Sequence, residues 1–277
     1  MHSSEGASRL ARTPLPKDPP MLRPALAALL TLLPAATLAQ DGPRFAFTLG
    51  AGLEAKPGYF GSDEVSFGPD LGFSFGALSV GPLSFGNADP GGVSQGFDIG
   101  GSFRLVNERS SDDYEELQGL TDVDRAIELG GALRYSASWW DAFAEVRYGV
   151  TGHESLVADL GLDLVSRPSD RLTLRAGPRV FLGSDDYAAT YFGVTEAESL
   201  ASAADGIDAF TPYEAQGGIL SAGLELSAHY RLTDLWGFRA GLRYDRLQND
   251  AADSPITRED DQITASLGVT RRFEFRF

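Results

Sequence analysis

Hydrophobic and polar residues alternate along the final stretch of the chain, residues 263–277. Apolar side chains stand at every second position, with Arg271 as the one exception, and hydroxyls, glycine and paired charges stand between them. Successive side chains of a strand point to opposite faces. A soluble sandwich strand is usually about 5–6 residues long, whereas a tilted membrane strand needs roughly 9–11. The pattern therefore predicts a membrane-spanning strand with one apolar face.

The same alternation predicts nine earlier strands, each bounded by turn-forming residues. Residues 77–86 are ambiguous, because they either extend the strand before them or belong to a further pair of strands. No segment shows a helical period over a globular length, and residues 112–120 indicate a solvated loop more simply than a short helix. The nine predicted strands are residues 44–55, 66–76, 97–106, 126–137, 142–150, 157–165, 172–182, 219–232 and 236–247.

Long and short connections alternate between these strands. Residues 107–125, 183–217 and 248–261 form long connections, whereas residues 166–170 and 233–235 form short ones. Outer-membrane barrels have short periplasmic turns and longer extracellular loops, which places both termini in the periplasm and requires an even number of strands. We therefore predict an all-β fold, a closed antiparallel transmembrane β-barrel of ten to twelve strands.

Aromatic and basic residues mark the predicted periplasmic end. Trp139, Trp140 and Trp236 lie at short turns, as a girdle at the membrane interface requires. The alternative is that they cap the core of a soluble sandwich. We expect Arg271, on the apolar face of the last strand, to lie near the same interface and to extend its charge into water.

The N-terminal part of the chain predicts export. Residues 21–23 form a basic start, residues 25–33 an apolar core and residues 37–39 a small-residue cleavage site, as in a secretory signal peptide. Residues 1–20, ahead of this signal, are polar and proline-rich. Two interpretations are open: Met21 is the true start of the protein, or the basic region of the signal peptide is unusually long. The predicted organisation is an extension over residues 1–20, a signal peptide over 21–39 and a barrel over 40–277.

Composition narrows the classes of function. The chain has 39 acidic and 23 basic residues, which excludes nucleic acid as a partner because phosphate binding requires clustered Lys and Arg. It has no cysteine, so disulfides and thiolate metal sites are excluded. The mean hydropathy of −0.13 is low for a helical membrane protein but suits a barrel, since half of each strand faces a polar interior.

Charged side chains concentrate on the predicted polar faces. A buried charge without a partner is unfavourable, so these side chains should form Arg–carboxylate ladders that fill a narrow barrel. Alternatively, acids of residues 141–163 facing arginines of residues 171–243 across a wet lumen would set up a transverse field, as in a channel constriction. The predicted lumenal residues are Arg134, Glu145, Arg147, Asp159, Asp163, Arg175, Arg179, Glu225, His229, Arg239, Arg243, Arg272 and Glu274.

Catalytic and metal sites find little support in the sequence. Ser227 and His229 share a strand face, but side chains two residues apart lie about 7 Å apart, too far for a nucleophile and its base. We expect His153, in a short loop, to be exposed. Acidic loops could supply oxygen ligands for calcium, but none has EF-hand spacing, so we predict a solvated acidic surface, no cofactor and no catalysis.

Four stretches together resemble the MipA/OmpV family of outer-membrane proteins. They are Gly50-x-Gly52 with PGYFGSD at residues 57–63, LxGLxDVD with ELG within residues 117–130, YFGVT leading to Gly218 within residues 191–218, and YxRLxNDAxDSPI with Gln262 within residues 244–262. They cover the mature chain from end to end in the family's order. The terminal Phe277 also resembles the aromatic assembly signal of bacterial outer-membrane barrels.

The resemblance implies a monomeric barrel in the outer membrane of a Gram-negative bacterium, folded by the barrel assembly machinery and embedded in outer-membrane lipid. It implies a scaffold that brings a murein-degrading lytic transglycosylase together with a murein synthase. Other members are treated as porin-like or adhesion proteins, so a narrow channel for small solutes remains the alternative. The resemblance supplies no catalytic residues, and short periplasmic turns leave little surface for a partner.

Overall fold

Antiparallel strands make up most of the structure, a computed structural model that describes residues 44–80, 83–86, 95–204 and 209–276. The predicted extension, the signal peptide and Phe277 lie outside these residues. The strands are β1 Arg44–Pro57, β2 Val65–Val80, β3 Leu83–Gly86, β4 Gly96–Val106, β5 Ala126–Ser136, β6 Trp140–Gly149, β7 Leu156–Ser169, β8 Leu172–Gly183, β9 Gly218–Arg231, β10 Trp236–Leu247 and β11 Asp261–Arg276. The helices are α1 Asp185–Phe192, α2 Glu196–Ala204 and α3 Asn249–Ala252.

All of these strands belong to one sheet in the order β3-β2-β1-β11-β10-β9-β8-β7-β6-β5-β4. Ten of them match the predicted strands, because the two-residue period marks each one. The last strand pairs with the first, from Arg44 opposite Arg276 to Ala55 opposite Ala265, which confirms the predicted pairing of the two ends of the mature chain.

The ambiguous stretch of residues 77–86 extends the strand before it, as one alternative predicts, and also adds a short strand. Residues 77–80 lengthen β2, and Leu83–Gly86 folds back on them as the short strand β3. The sheet therefore has eleven strands, ten of them long, which agrees with the predicted ten to twelve. A four-residue strand is too short to cross a bilayer, so it does not change the number of spanning strands.

The sheet curls until its two edges approach each other. β4 comes close to both β2 and β3, and a Cβ atom added to Gly68 of β2 would lie 3.7 Å from the Asn107 amide nitrogen just beyond β4. Over the described residues, however, no hydrogen-bonded ladder joins β2 to β4. The structure thus shows a curled antiparallel sheet, and the predicted closure into a barrel remains a prediction.

The outer wall of the curled sheet is apolar, as expected for a surface in contact with lipid. Phe67, for example, is 81% exposed, which water would oppose strongly. No helix of the described part is long and apolar enough to cross a membrane. Exposed apolar residues occur on nearly every strand, including Leu53, Phe67, Leu71, Phe97, Ile99, Leu133, Leu164, Leu224, Leu226, Ile263 and Leu267.

Five connections lie at one end of the sheet and pack together as a loop cap. We define this cap as the described residues 58–64, 107–125, 150–155, 184–204, 209–217 and 248–260. It contains all three helices and a 3-10 helix at Glu115–Leu117, each too short to show a helical period in the sequence. The predicted solvated loop at residues 112–120 is wrong in part, because Leu117 and Leu120 are buried.

Candidate functional site: charged lumen and loop cap

The inner face of the sheet carries a buried network centred on Arg147 of β6. Its guanidinium donates to Glu128 at 2.9 Å and to Glu145 at 2.8 Å, and it also contacts Asp159. Ser102 donates to the same Glu145 carboxylate at 2.5 Å. Charge-assisted hydrogen bonds of this kind are roughly twice as strong as neutral ones, and here they join β4, β5, β6 and β7.

A second group of ion pairs lies on the neighbouring strands. Arg179 of β8 donates to Asp163 of β7 at 2.8 Å and to Glu225 of β9 at 3.1 Å. Arg175 lies on the same strand, nearer to the short connections, and donates to Asp141 at 3.2 Å. The acids of β6 and β7 therefore meet the arginines of β8 directly, without a water-filled gap between them.

Other contacts join strands that are not neighbours in the sheet. Arg239 of β10 binds Asp70 of β2 at 2.8 Å, and Arg243 of β10 approaches Asp159 of β7 within 3.9 Å. The Arg104 guanidinium of β4 lies 4.5 Å from the ring centroid of Phe181 on β8. Such contacts require a narrow interior, as in barrels of about eight strands that are filled by side chains.

The remaining predicted lumenal residues form local contacts. Arg134 lies over the Phe143 ring at 5.7 Å, and His229 is within hydrogen-bond distance of the Thr270 hydroxyl, at 3.2 Å. Arg272 and Glu274 lie 3.7 Å apart on β11. The structure brings most predicted lumenal residues into contact with an opposite charge, while their role as packing or as channel lining stays a prediction.

His153 lies inside the cap, so its expected exposure is wrong. The imidazole is buried, with Nδ1 at 2.7 Å from the Ser155 hydroxyl and Nε2 at 3.1 Å from Glu128. Tyr187 of α1 packs edge-on against the ring at 4.9 Å. No local pattern predicts the burial of His153, because its contacts come from Glu128 on β5 and Tyr187 on α1.

Ser155, His153 and Glu128 are hydrogen-bonded in the same order as the serine, histidine and acid of a hydrolase triad, but their surroundings differ from those of an active site. Ser155 is buried beneath the cap, so a substrate cannot reach its hydroxyl in this structure. Glu128 is held by two arginines, through Arg104 at 2.6 Å and Arg147 at 2.9 Å. A nucleophile must be accessible and its base free to take a proton, so the arrangement is a buried structural network.

A hydrophobic cluster joins the cap to the upper rim of the sheet. Ser184 caps the N-terminus of helix α1, since its hydroxyl accepts from the Tyr187 amide at 3.4 Å, and acids in the first turn suit the helix dipole. One face of α1 packs on Phe181 of β8, with Tyr187 at 5.5 Å between ring centroids. The cluster comprises Val123, Val157, Phe181, Tyr187, Ala188, Tyr191, Phe192, Ala215, Leu220, Leu247 and Ala251.

A second hydrophobic cluster lies within the cap itself. It brings together four of the five connections. Its members are Tyr59 in residues 58–64, Leu117 and Leu120 in 107–125, Val194 and Phe210 in the connection between β8 and β9, and Ile256 in 248–260. A buried residue next to it, Arg109, donates to the carbonyl oxygens of Tyr191 at 3.0 Å and Thr121 at 3.3 Å. Burial lowers the pKa of Arg109.

Gly119 allows the second connection to approach α2. Its φ of +88° lies in the left-handed region, and an added Cβ atom would lie 2.3 Å from the Ser202 amide nitrogen. Only glycine fits such a position without strain. Glu198 of α2 reaches back and accepts a hydrogen bond from the Thr121 amide at 2.9 Å, so these two connections are tied at two points.

The described part of the chain contains no group of three or more His, Asp or Glu side chains that could hold a metal ion. The acidic cap residues instead accept hydrogen bonds from the protein. Asp122, for example, accepts from the Ser111 amide at 2.7 Å and from its hydroxyl at 3.0 Å.

Sequence comparison identifies the family. The profile described as "MltA-interacting protein MipA" matches residues 49–273. The chain belongs to the MltA-interacting protein family. Among individual members, the MltA-interacting proteins of Escherichia coli K12 and Shigella flexneri are each 31% identical over 105 residues, which is 37% of this chain and 38% of the relative. The chain thus aligns with well under half the length of these family members.

Solved structures similar to this MltA-interacting family member include three proteins. They are OprB of Pseudomonas putida (14% identity, 64% of this chain and 44% of that one, TM-score 0.34), neisserial surface protein A (10%, 82% and 97%, 0.27) and the outer membrane protein OprG of Pseudomonas aeruginosa (12%, 86% and 99%, 0.28). Family membership and the apolar outer wall support an outer-membrane β-barrel protein.

Proposed function

We propose that this chain is a non-catalytic outer-membrane β-barrel that serves as a structural or scaffolding protein of the cell envelope, linked to murein synthesis and hydrolysis. The family match over residues 49–273 is the observation that carries the proposal, since relatives are named for interaction with MltA, a lytic transglycosylase. The partner of this chain would therefore be an enzyme of the same class, with a murein synthase as a second partner.

The paired charges of the interior support a structural role over a narrow channel. Opposite charges on nearby strands neutralise each other, as in the Arg179–Asp163 pair at 2.8 Å and the Arg175–Asp141 pair at 3.2 Å. A channel constriction would instead need charges that face water and passing solutes. Above the ion pairs, helix α1 covers the upper rim of the interior.

The arrangement of connections supports a location for the partner. If the loop cap faces the exterior, as long loops do in outer-membrane barrels, the short-turn end and both termini face the periplasm, where murein enzymes act. This end carries exposed charges, including Arg171 between β7 and β8 and Asp234 between β9 and β10. Together with the polar edge of the neighbouring turns, these side chains offer a partner a small docking surface.

The test is co-purification of the detergent-solubilised full chain with a purified MltA-type lytic transglycosylase. We expect the wild-type chain to retain the enzyme and Arg171→Glu or Asp234→Lys to weaken retention severalfold, because charge reversal opposes a complementary surface. Asp112→Lys, a charge reversal at an exposed position of the loop cap, is the matched control and should retain the enzyme as the wild type does.

Two outcomes would contradict the proposal. Failure of the wild-type chain to retain either a lytic transglycosylase or a murein synthase would remove the scaffolding role. In planar bilayers we expect no reproducible unit currents; currents that change on Arg175→Gln or Asp163→Asn would establish the narrow channel instead.

A further inference from the structure

Beneath the loop cap, the interior of the curled sheet contains a cavity of about 310 Å³. Ligand sites in proteins range from about 300 to 1,000 Å³, so the space suits a small molecule of one or two rings. Residues from β1, β4, β8, β9, β10 and β11 line it together with parts of the cap. The cavity is therefore formed by the sheet and the cap together and lies away from the short-turn end proposed for a protein partner.

One side of the cavity is an aromatic wall. Phe60, Phe181 and Tyr191 all line it, with Phe60 packed edge-on against Tyr191 at 5.2 Å and roughly parallel to Phe181 at 6.5 Å. Aromatic rings favour offset or edge-to-face contact with another ring at about 4.5–7 Å. This wall suits a flat apolar ligand.

The cations at the cavity are paired with carboxylates, with one exception. Arg109 is 5% exposed and donates to two carbonyl oxygens, but no carboxylate oxygen in the described part of the chain lies within 4.0 Å of it. The carboxylates that act on Arg109, Glu198 and Asp122, do so only at longer range. A buried charge without a direct ion pair is poorly compensated, so the cavity favours an anion. The paired cations are Lys56 with Glu54, Arg104 with Glu128 and Arg243 with Asp245.

A further polar group lacks a partner at the same place. The Tyr191 hydroxyl is buried and has no hydrogen-bond partner among the described residues. The great majority of buried polar side-chain atoms are hydrogen-bonded. Tyr191 also accepts the Arg109 hydrogen bond through its carbonyl oxygen, so the unpaired hydroxyl and the unpaired guanidinium belong to residues in direct contact.

From these observations we infer that the cavity binds a small aromatic carboxylate, with its ring against Phe60, Phe181 and Tyr191 and its carboxylate facing Arg109. A flat apolar body fits the aromatic wall, and a single negative charge balances the one buried guanidinium that has no carboxylate partner. Neither the family match nor the proposed scaffolding role assigns this site.

The test is calorimetric titration of the detergent-solubilised full chain with benzoate, and with benzamide as its neutral counterpart. We expect saturable binding of benzoate that exceeds that of benzamide. Arg109→Gln should weaken benzoate binding about tenfold to a hundredfold, as loss of a charged hydrogen bond does, whereas Arg109→Lys should retain most of it. Arg125→Gln, an exposed arginine of the same connection, is the matched control and should leave binding unchanged.

A second variant tests the site without altering the hydrogen bonds of Arg109. Ser221 on β9 lines the cavity, so Ser221→Phe should occupy the space and abolish benzoate binding while heat-modifiable migration shows that the sheet is folded. The inference is overturned if the wild-type chain shows no saturable binding, if benzamide binds as tightly as benzoate, or if either Ser221→Phe or folded Arg109→Gln binds benzoate as the wild type does.

Discussion

At the scale of single residues, Glu128 organises the upper part of the charged interior. Its carboxylate is 0% exposed and is contacted by Arg104, Arg147 and His153. Alternation along the strand predicts the face on which such a side chain lies, because that depends only on the two-residue period. It does not predict the partners, which come from β4, β6 and the loop after β6.

Replacing Glu128 by Gln should destabilise the protein by about 3–5 kcal/mol, because the buried Arg147 and the partly buried Arg104 would lose a shared counter-charge. The measurement is the free energy of unfolding by urea of the protein in lipid vesicles, monitored by tryptophan fluorescence. Glu108→Gln is the matched control. Glu108 is 59% exposed and lies 4.0 Å from Arg125, a surface pair that contributes about 0–1 kcal/mol. Equal effects of the two substitutions would contradict the prediction.

Glu198 should make the cap sensitive to acid. Burial alone would raise the pKa of Glu198, but hydrogen bonds from Thr195 and Thr121 outweigh it and lower the pKa. The folded-state pKa thus lies below the unfolded value of about 4.3, so the tie to Thr121 is intact above that pH and weakens as pH falls through the folded-state pKa.

Hydrogen exchange measures this effect at the Thr121 amide, which donates to Glu198. We expect its protection factor to fall between pH 5 and pH 3 in the wild-type chain. In Glu198→Gln the protection factor should be lower at pH 6 and nearly independent of pH in this range. A wild-type protection factor that does not change with pH would disprove the assignment.

At the scale of elements, the sequence pattern predicts strands far better than the cap. Each long strand repeats the same alternation over ten or more residues, so local sequence decides its structure. Helix α1 has only eight residues, too few for a helix to be stable on local interactions. It forms because Tyr187, Tyr191 and Phe192 are buried against residues that lie far from the helix in the sequence. A short window of sequence around the helix does not contain these contacts.

Phe192→Ala should loosen the cap selectively. Truncating a buried Phe costs about 3–5 kcal/mol, and Phe192 is almost completely buried in the cluster between α1 and the sheet. We expect proteinase K to cleave within residues 184–217 much faster than in the wild type, while the strands stay protected. Leu200→Ala in α2 is the control, because Leu200 is 73% exposed; equally fast cleavage of both variants would refute the role of the cluster.

At the scale of the whole molecule, the curled sheet and the cap are separable structures. Gly183 at the end of β8 is paired with Gly218 at the start of β9, so the ends of the longest connection are adjacent without any help from α1 and α2. The strands are joined by their own ladders and by the interior ion pairs. The cap contributes one side of the cavity and covers the upper rim.

Replacing residues 185–216 by a four-residue Gly-Ser linker should therefore leave the sheet intact, since a linker of this length connects adjacent antiparallel strands. We expect the variant to keep heat-modifiable migration on a gel, with unfolding at a lower temperature than the wild type because the hydrophobic cluster is lost. The wild-type chain is the reference on the same gel, and loss of the migration shift in the variant would show that the sheet depends on the cap.

The cap also constrains the order in which the molecule acquires its structure. Gln262, at the start of β11, accepts from the Gly61 amide at 3.2 Å and donates to the Ser62 carbonyl oxygen at 3.3 Å, about 200 residues earlier in the chain. Contacts between residues so far apart in sequence form slowly, because the intervening chain must first be organised. We therefore expect the cap to form late in folding, after β1 and β11 have paired. Mutations in the hydrophobic core of the cap should accelerate unfolding and leave the rate of strand assembly almost unchanged.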